Sequence, residues 1–282
     1  MPRDREAALP GGGSIAWREW GDPAGDPVVF LHGTPGSRVF CPDPDTSTRL
    51  ITVDRPGYGR STPLEVPTLR GITEIVGRIA EEEGWERFPV IGSSGGGPFA
   101  LACGALLSDR VTCVAAVSSG GPVDEIDAAY TSLTAEEREA LSVIRADPAG
   151  ATELVWEHGQ WYADNPLRFL ETEREPADEA IFRDEAFRSN LAEANVEGAL
   201  QGQAGLICDW VADALPWGFR LADISVPVDL WVGERDSGRA PLDAAEIARR
   251  IPSCTVHAYA DEGHWLLIPL WPQIVERSLA HG

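Results

Sequence analysis

The residue whose type and setting could do chemistry is Ser94. It is the central serine of Gly92-Ser93-Ser94-Gly95-Gly96, a G-x-S-x-G spacing. A serine on a sharp strand-to-helix turn takes a strained backbone conformation and pushes its hydroxyl out of the sheet. Glycines two before and two after leave room for backbones to approach. Gly95 would aim a backbone N–H at an oxyanion, helped by the dipole of the helix that follows. The chemistry predicted is nucleophilic attack by the Ser94 hydroxyl. A plain glycine-serine loop would satisfy the same spacing, so the flanking elements carry the decision.

Those elements read as strand, turn, helix over Phe88 to Leu107. Phe88, Val90 and Ile91 form an apolar run suited to a strand buried on both faces. Pro98 is tolerated in a first helical turn, where its missing N–H would be unpaired anyway. Upstream, a hairpin is predicted from Ala7-Ala8-Leu9 through a turn at Pro10-Gly11-Gly12-Gly13 to a strand over Ser14 to Trp20. Val28 to Leu31 is a buried strand running into His32-Gly33-Thr34-Pro35-Gly36-Ser37. That loop has two readings. Thr34 supplies a second backbone N–H facing the Ser94 hydroxyl, or the segment is an ordinary turn. His32 reads as a hydrogen-bonded structural histidine. Leu50 to Val53 is the next strand, and Asp54 to Ser61 reads as scaffold, with Arg55 and Tyr58 within reach of the site mouth but given no role. Ile72 to Glu83 is helical by its apolar spacing, and Val111 to Val117 is another buried strand. The order predicts a mostly parallel sheet with helices on both faces.

Residues 123–224 lack any strand signal. Thr134 and Glu137 form a capping box opening a helix through Ile144, and Asp147-Pro148 opens another. Glu171 to Glu179 is acidic and reads as solvated, and Glu185 to Val211 as helical. The sheet resumes with a strand over Val226 to Val232, a helix over Leu242 to Ile251, a strand over Cys254 to Tyr259 and a closing helix over Trp271 to Leu279. The division expected is a core of residues 1–122 and 225–282 with an all-helical insert at 123–224. Asp236 and His264 each follow a predicted strand, as Ser94 does, and ligands of parallel sheets collect at those strand ends.

Composition bounds the function. The chain has 282 residues, 43% hydrophobic, enough for one large domain with an insert. Its 23 basic residues, all arginine, against 45 acidic ones leave a charge of −22. Nucleic acid and anionic membrane surfaces would repel such a surface. Arg3 and Arg5 are not followed by an apolar run, so no signal peptide is expected, and no run approaches a membrane span. The five cysteines show no metal-ligand spacing; Cys103 and Cys113 read as inert core thiols, and the compartment expected is cytoplasmic.

HGTPGS (32–37), DRPGYGRS (54–61), GSSGG (92–96), VGERD (232–236) and EGHW (262–265) together resemble the α/β-hydrolase superfamily over nearly the whole chain. The resemblance implies an eight-stranded, mostly parallel sheet, with the insert as a helical cap after strand six. It implies that Ser94 attacks a carbonyl carbon, that His264 takes and returns the proton, and that Asp236 orients His264. The backbone N–H groups of Thr34 and Gly95 would hold the oxyanion. No metal and no organic cofactor is required, and the Thr34-Pro35 bond is expected to be cis. Glu234 or Asp261, and less so Asp124 or Asp127, rival Asp236. His158, His257 and His281 read as structural or surface residues.

The substrate expected is a small molecule, a carboxylic ester of small to medium, largely apolar character. Trp156, Trp161, Trp210, Trp217 and Trp265 are the candidate pocket walls, and each could equally be plain core. Carbon–carbon bond hydrolases of meta-cleavage products share the triad and often a tryptophan after the histidine, but HGTPGS departs from their usual loop. An iminopeptidase-like enzyme would need an acidic cap group, for which Glu157 or Glu173 could serve; a perhydrolase would share the triad. Dehalogenases and epoxide hydrolases place aspartate where Ser94 stands. A ligand-binding receptor on the same scaffold is the non-enzyme alternative, and a homodimer is left open.

Overall fold

A computed structural model describes residues 2–9, 12–44, 46–171 and 174–281. The chain runs β1 (Arg3–Ala8), β2 (Ser14–Gly21), β3 (Pro27–Leu31), β4 (Arg49–Val53), α1 (Leu69–Glu82), β5 (Phe88–Ser93), α2 (Gly97–Leu106) and β6 (Val111–Val117). Seven α-helices follow among the described residues: α3 (Asp127–Ser132), α4 (Ala135–Ala146), α5 (Pro148–Trp156), α6 (Gln160–Asp164), α7 (Glu179–Phe182), α8 (Glu185–Gly198) and α9 (Ala204–Ala214). Then come β7 (Val228–Gly233), α10 (Ala240–Arg250), β8 (Cys254–Tyr259) and α11 (Leu267–Leu279).

The eight strands form one sheet in the order β1-β2-β4-β3-β5-β6-β7-β8. The β1–β2 and β2–β4 pairs are antiparallel and the rest parallel. Parallel strands need crossover connections, and the helices supply them, covering both faces. Along β3, Val29 and Leu31 pack with α1 and α2, while Val28 and Phe30 pack with α11. β5 lies in the middle of the sheet, so its end is flanked by the ends of β3 and β6.

Boundaries differ from expectation where the sequence is polar or carries proline. β1 extends from Arg3 to Ala8 rather than over Ala7 to Leu9. Its side chains are mostly exposed, so no apolar alternation announces it; pairing from Arg3 with Glu19 to Ala8 with Ser14 defines it. Pro10 and Gly11 of the expected turn lie outside the described residues. β7 starts at Val228 rather than Val226, after Pro227, which has no N–H for a ladder.

The segment between β6 and β7 contains only helical elements and loops among the described residues. The Thr134 and Glu137 capping box is formed at the start of α4, and Asp147 caps α5. α4, α5 and α9 share a small core of their own made by Ile144, Ala151, Val155, Ile207 and Val211. The acidic run is not wholly solvated: Asp178 is buried. Its carboxylate accepts hydrogen bonds from main-chain N–H groups of the loop after β8.

Candidate active site

Ser94 leaves β5 with φ 50, a left-handed conformation costly for a residue with a Cβ. The turn is tight because backbones crowd it. A methyl on Gly92 would lie 2.4 Å from the Gly96 carbonyl oxygen, and one on Gly96 would lie 2.2 Å from the Leu31 oxygen. Pro98 sits in the first turn of α2. Ser119, just past β6, donates its hydroxyl to the Ser94 carbonyl at 2.8 Å, fixing the turn from the neighbouring strand end.

The ends of β5, β7 and β8 bring three side chains together. Ser94 Oγ lies 3.0 Å from His264 Nε2, and His264 Nδ1 lies 2.9 Å from Asp236 Oδ2. With the ring proton on Nδ1, His264 donates to Asp236 and Nε2 is free to accept from the serine. Asp236 is buried and its second oxygen accepts the Gly238 N–H at 2.8 Å. Glu234 is exposed, Asp261 pairs with Arg235 at the surface, and Asp124 pairs with Arg145. Asp127 is exposed. His257 and His281 meet Asp229, while His158 is exposed.

The loop after β3 faces the serine. The Thr34-Pro35 bond is cis. Thr34, Ser94, Gly95 and His264 line one cavity. A methyl on Gly95 would lie 2.2 Å from Thr34 Oγ1 and 3.3 Å from Thr34 N, so only glycine lets the two main chains approach this closely. Two N–H groups carried by such opposed segments beside a hydroxyl are suited to an oxyanion. His32 is buried, bonded through Nδ1 to the Gly33 carbonyl at 2.7 Å. Burial, with the nearby Arg55 cation, holds its imidazole well below the usual histidine range, so it is neutral.

Four groups in contact with the loops of the site were given no role by type or spacing. Arg55, fully buried, donates to the carbonyls of His32 and Gly33 and to Thr34 Oγ1. Its charge is met by Asp209 of α9, with Nε to Oδ1 at 3.0 Å. Asp178 accepts the main-chain N–H groups of His264 and Trp265. Ser118 donates to the His264 carbonyl. A signal existed for Asp209, which lies between Cys208 and Trp210 in the mostly apolar Ala204–Ala214, since a charge there must find a partner. Nothing marked Asp178 among its acidic neighbours.

Two hollows flank Ser94. A cavity of about 350 Å3 is lined by Trp210, Asp213, Ser118 and Arg239. On the other side a smaller hollow of about 40 Å3 is lined by Pro35, Phe40, Leu191 and Trp265. Of the candidate tryptophans, Trp210 lines the larger hollow and Trp265 the smaller one. The other three tryptophans line neither. Trp156 is 41% exposed at the end of α5. Trp161 packs on Tyr162 away from both hollows, and Trp217 is buried in the main core beside Phe219. Trp161 and Trp217 pack against the insert and the main core, and Trp156 is largely turned to solvent, so none of the three lines either hollow. Glu157 is exposed and lines neither hollow, and Glu173 lies outside the described residues. Among the described residues no group of three or more His, Cys, Asp or Glu is placed to hold a metal ion, and no helix is long and apolar enough to cross a membrane.

With this geometry in place, comparison with known proteins defines the class. The family described as the alpha/beta hydrolase fold matches residues 26–269, and the chain belongs to it. A proline iminopeptidase of Arabidopsis thaliana is 34% identical over 109 residues, 35% of this chain and 28% of that protein. The match spans about a third of the length of the curated relatives. Among solved structures, an epoxide hydrolase without ligand aligns over 100% of this chain and 98% of its own, with TM-score 0.71 and 20% identity. An esterase from Exiguobacterium antarcticum aligns over 98% of each chain, with TM-score 0.67 and 18% identity. At that identity these likenesses speak to the fold alone.

Proposed function

We propose that this alpha/beta hydrolase is a serine hydrolase that cleaves a carboxylic ester, or a related acyl bond, of a small to medium and largely apolar molecule. The observation that carries the reading is the continuous contact from Ser94 Oγ through His264 to Asp236, at 3.0 and 2.9 Å. The Ser94 oxygen attacks the carbonyl carbon while its proton passes to His264 Nε2. The imidazolium is stabilised by Asp236. Negative charge develops on the carbonyl oxygen and is met by the N–H groups of Thr34 and Gly95. Collapse expels the alcohol, which takes the proton from His264, and leaves an acyl-serine. Water, deprotonated by the same imidazole, then releases the acid. The residue types at the site call for no cofactor. The serine at 94 favours ester over epoxide cleavage, because serine attack on an epoxide carbon would leave an alkyl ether with no carbonyl for water to attack, and the enzyme would not turn over.

One observation favours a second reading. Asp213 lines the larger hollow beside Ser94, in a cavity where a substrate ammonium would find a counter-charge. This, with the iminopeptidase relatives, supports an enzyme acting on an amine-bearing acyl group. The same triad would serve, and the substrate would be an amide of a small amino acid.

Pre-steady-state hydrolysis of p-nitrophenyl butyrate tests the first reading. A burst of p-nitrophenol matching the enzyme concentration is expected, and Ser94→Ala should abolish it. An unaltered burst in that variant, or none in the parent protein, overturns the acyl-serine reading. Turnover of L-proline p-nitroanilide well above that of the ester would select the second.

A further inference from the structure

The insert reaches each half of the site with a buried carboxylate. Asp209 of α9 and Arg55 form a pair that is almost wholly removed from water, with side chains 6% and 0% exposed. Arg55 spends its remaining donors on the main-chain oxygens of His32 and Gly33 and on Thr34 Oγ1. Thr34 Oγ1 in turn donates to Asp209 Oδ2, and the Tyr58 hydroxyl reaches the same oxygen at 2.9 Å. Three consecutive residues of the loop that carries the Thr34 N–H are thus tied to one carboxylate of the insert. Asp178, just before α7, does the equivalent for the opposite side. Its Oδ2 accepts the His264 N–H at 3.1 Å and its Oδ1 the Trp265 N–H at 3.0 Å.

We propose that Asp209 and Asp178 are positioning residues of the hydrolytic centre, Asp209 acting through Arg55 on the Thr34 loop and Asp178 acting on the loop that carries His264. The inference rests on the reading of Ser94 as nucleophile. Both loops follow strand ends and have no ladder to fix them, so their geometry comes from such side-chain anchors. Charged acceptors make the strongest of these bonds. A serine–imidazole contact that must be held within a few tenths of an ångström is therefore dependent on the insert, which acts as part of the site rather than as a detachable cover.

The test is Asp178→Asn and Asp209→Asn, assayed with p-nitrophenyl butyrate and by hydrogen exchange without substrate. An amide in place of either carboxylate turns one acceptor into a donor that faces another donor. Turnover number should fall about 10²-fold, the cost of a misplacement on the order of 1 Å, with KM changed by less than about threefold. Exchange should quicken at residues 264–265 in Asp178→Asn, where two N–H groups lose a charged acceptor, and stay parental there in Asp209→Asn. Asp209→Asn strands a buried guanidinium and can fail to fold. Thr34→Val then removes only the hydroxyl link and keeps the N–H, and Thr34→Ser should turn over about tenfold faster than Thr34→Val, the worth of one hydrogen bond. Variants that melt earlier yet keep parental kcat and loop exchange would show mere docking of the insert and overturn the proposal. A parental protein without Ser94-dependent turnover would sink the hydrolytic reading, while exchange would still report whether Asp178 holds the loop that carries His264.

Discussion

The Ser118 hydroxyl donates to the main-chain carbonyl of His264 at 2.7 Å, joining the end of β6 to the loop after β8. Ser118 holds this position at φ 50, a conformation shared among the non-glycine described residues only with Ser94. Two strained serines on adjacent strand ends thus frame the imidazole, one from its main chain and one from its Nε2. Ser118→Ala keeps the strain and loses the bond. It should lower stability in urea by about 1 kcal/mol, the net worth of a neutral hydrogen bond. A slower turnover at unchanged KM should accompany it, because the histidine is less well aimed. Parental turnover would show that the contact is structural alone.

Asp236 is distinguished from its acidic neighbours by direction. Asp236→Asn preserves shape, but its amide would favour the imidazole tautomer with the proton on Nε2, where it cannot accept from Ser94. Turnover should drop by about 10⁴, as in other enzymes built on this constellation. Asp261→Asn removes only a surface pair with Arg235 and should leave kcat within about twofold of the parent. Equal losses in the two variants would mean that the acid has been assigned to the wrong residue.

The chemistry-bearing side chains were readable because each follows a short apolar strand, and parallel strand ends must meet along one edge of the sheet. Ser94 also carries its own local code, two glycines where backbones collide. The anchors were not readable for the opposite reason. Asp178 and Ser118 act on main-chain N–H and C=O groups, which every residue has, so no partner type in the sequence points to them. Arg55 lay in a segment read as scaffold, and its partner Asp209 is 154 residues away on the insert. Tryptophan type alone did not separate Trp210 and Trp265, which line the hollows, from the other three, because burial in a protein core and burial against a ligand demand the same apolar side chain.

All five cysteines have thiols that burial pushes up to about 12. At pH 8 the thiolate fraction is then on the order of 10⁻⁴, and thiolate is the reactive form. Native protein should release less than one equivalent of thionitrobenzoate from Ellman's reagent within minutes, and five after unfolding in guanidinium. Rapid modification of the native chain accompanied by loss of activity would contradict this, and would place a reactive thiol near the site.

His32 makes stability depend on pH. Its folded-state pKa is well below the ordinary 6.5, because a charged ring would be desolvated and would face the Arg55 cation. The unfolded chain therefore binds a proton below about 6.5 that the native state refuses, and stability falls as pH falls. The contribution is complete above that value and is lost at up to about 1.4 kcal/mol per pH unit beneath it. Urea unfolding at pH 7.5, 6.5, 5.5 and 5.0 measures the slope. The difference between the parent and His32→Gln isolates this ring from the carboxylates that titrate lower, and the variant should show the flatter profile. Parallel profiles, or an NMR titration placing the His32 ring near 6.5 in the folded protein, would refute a neutral buried imidazole beneath the Thr34 loop.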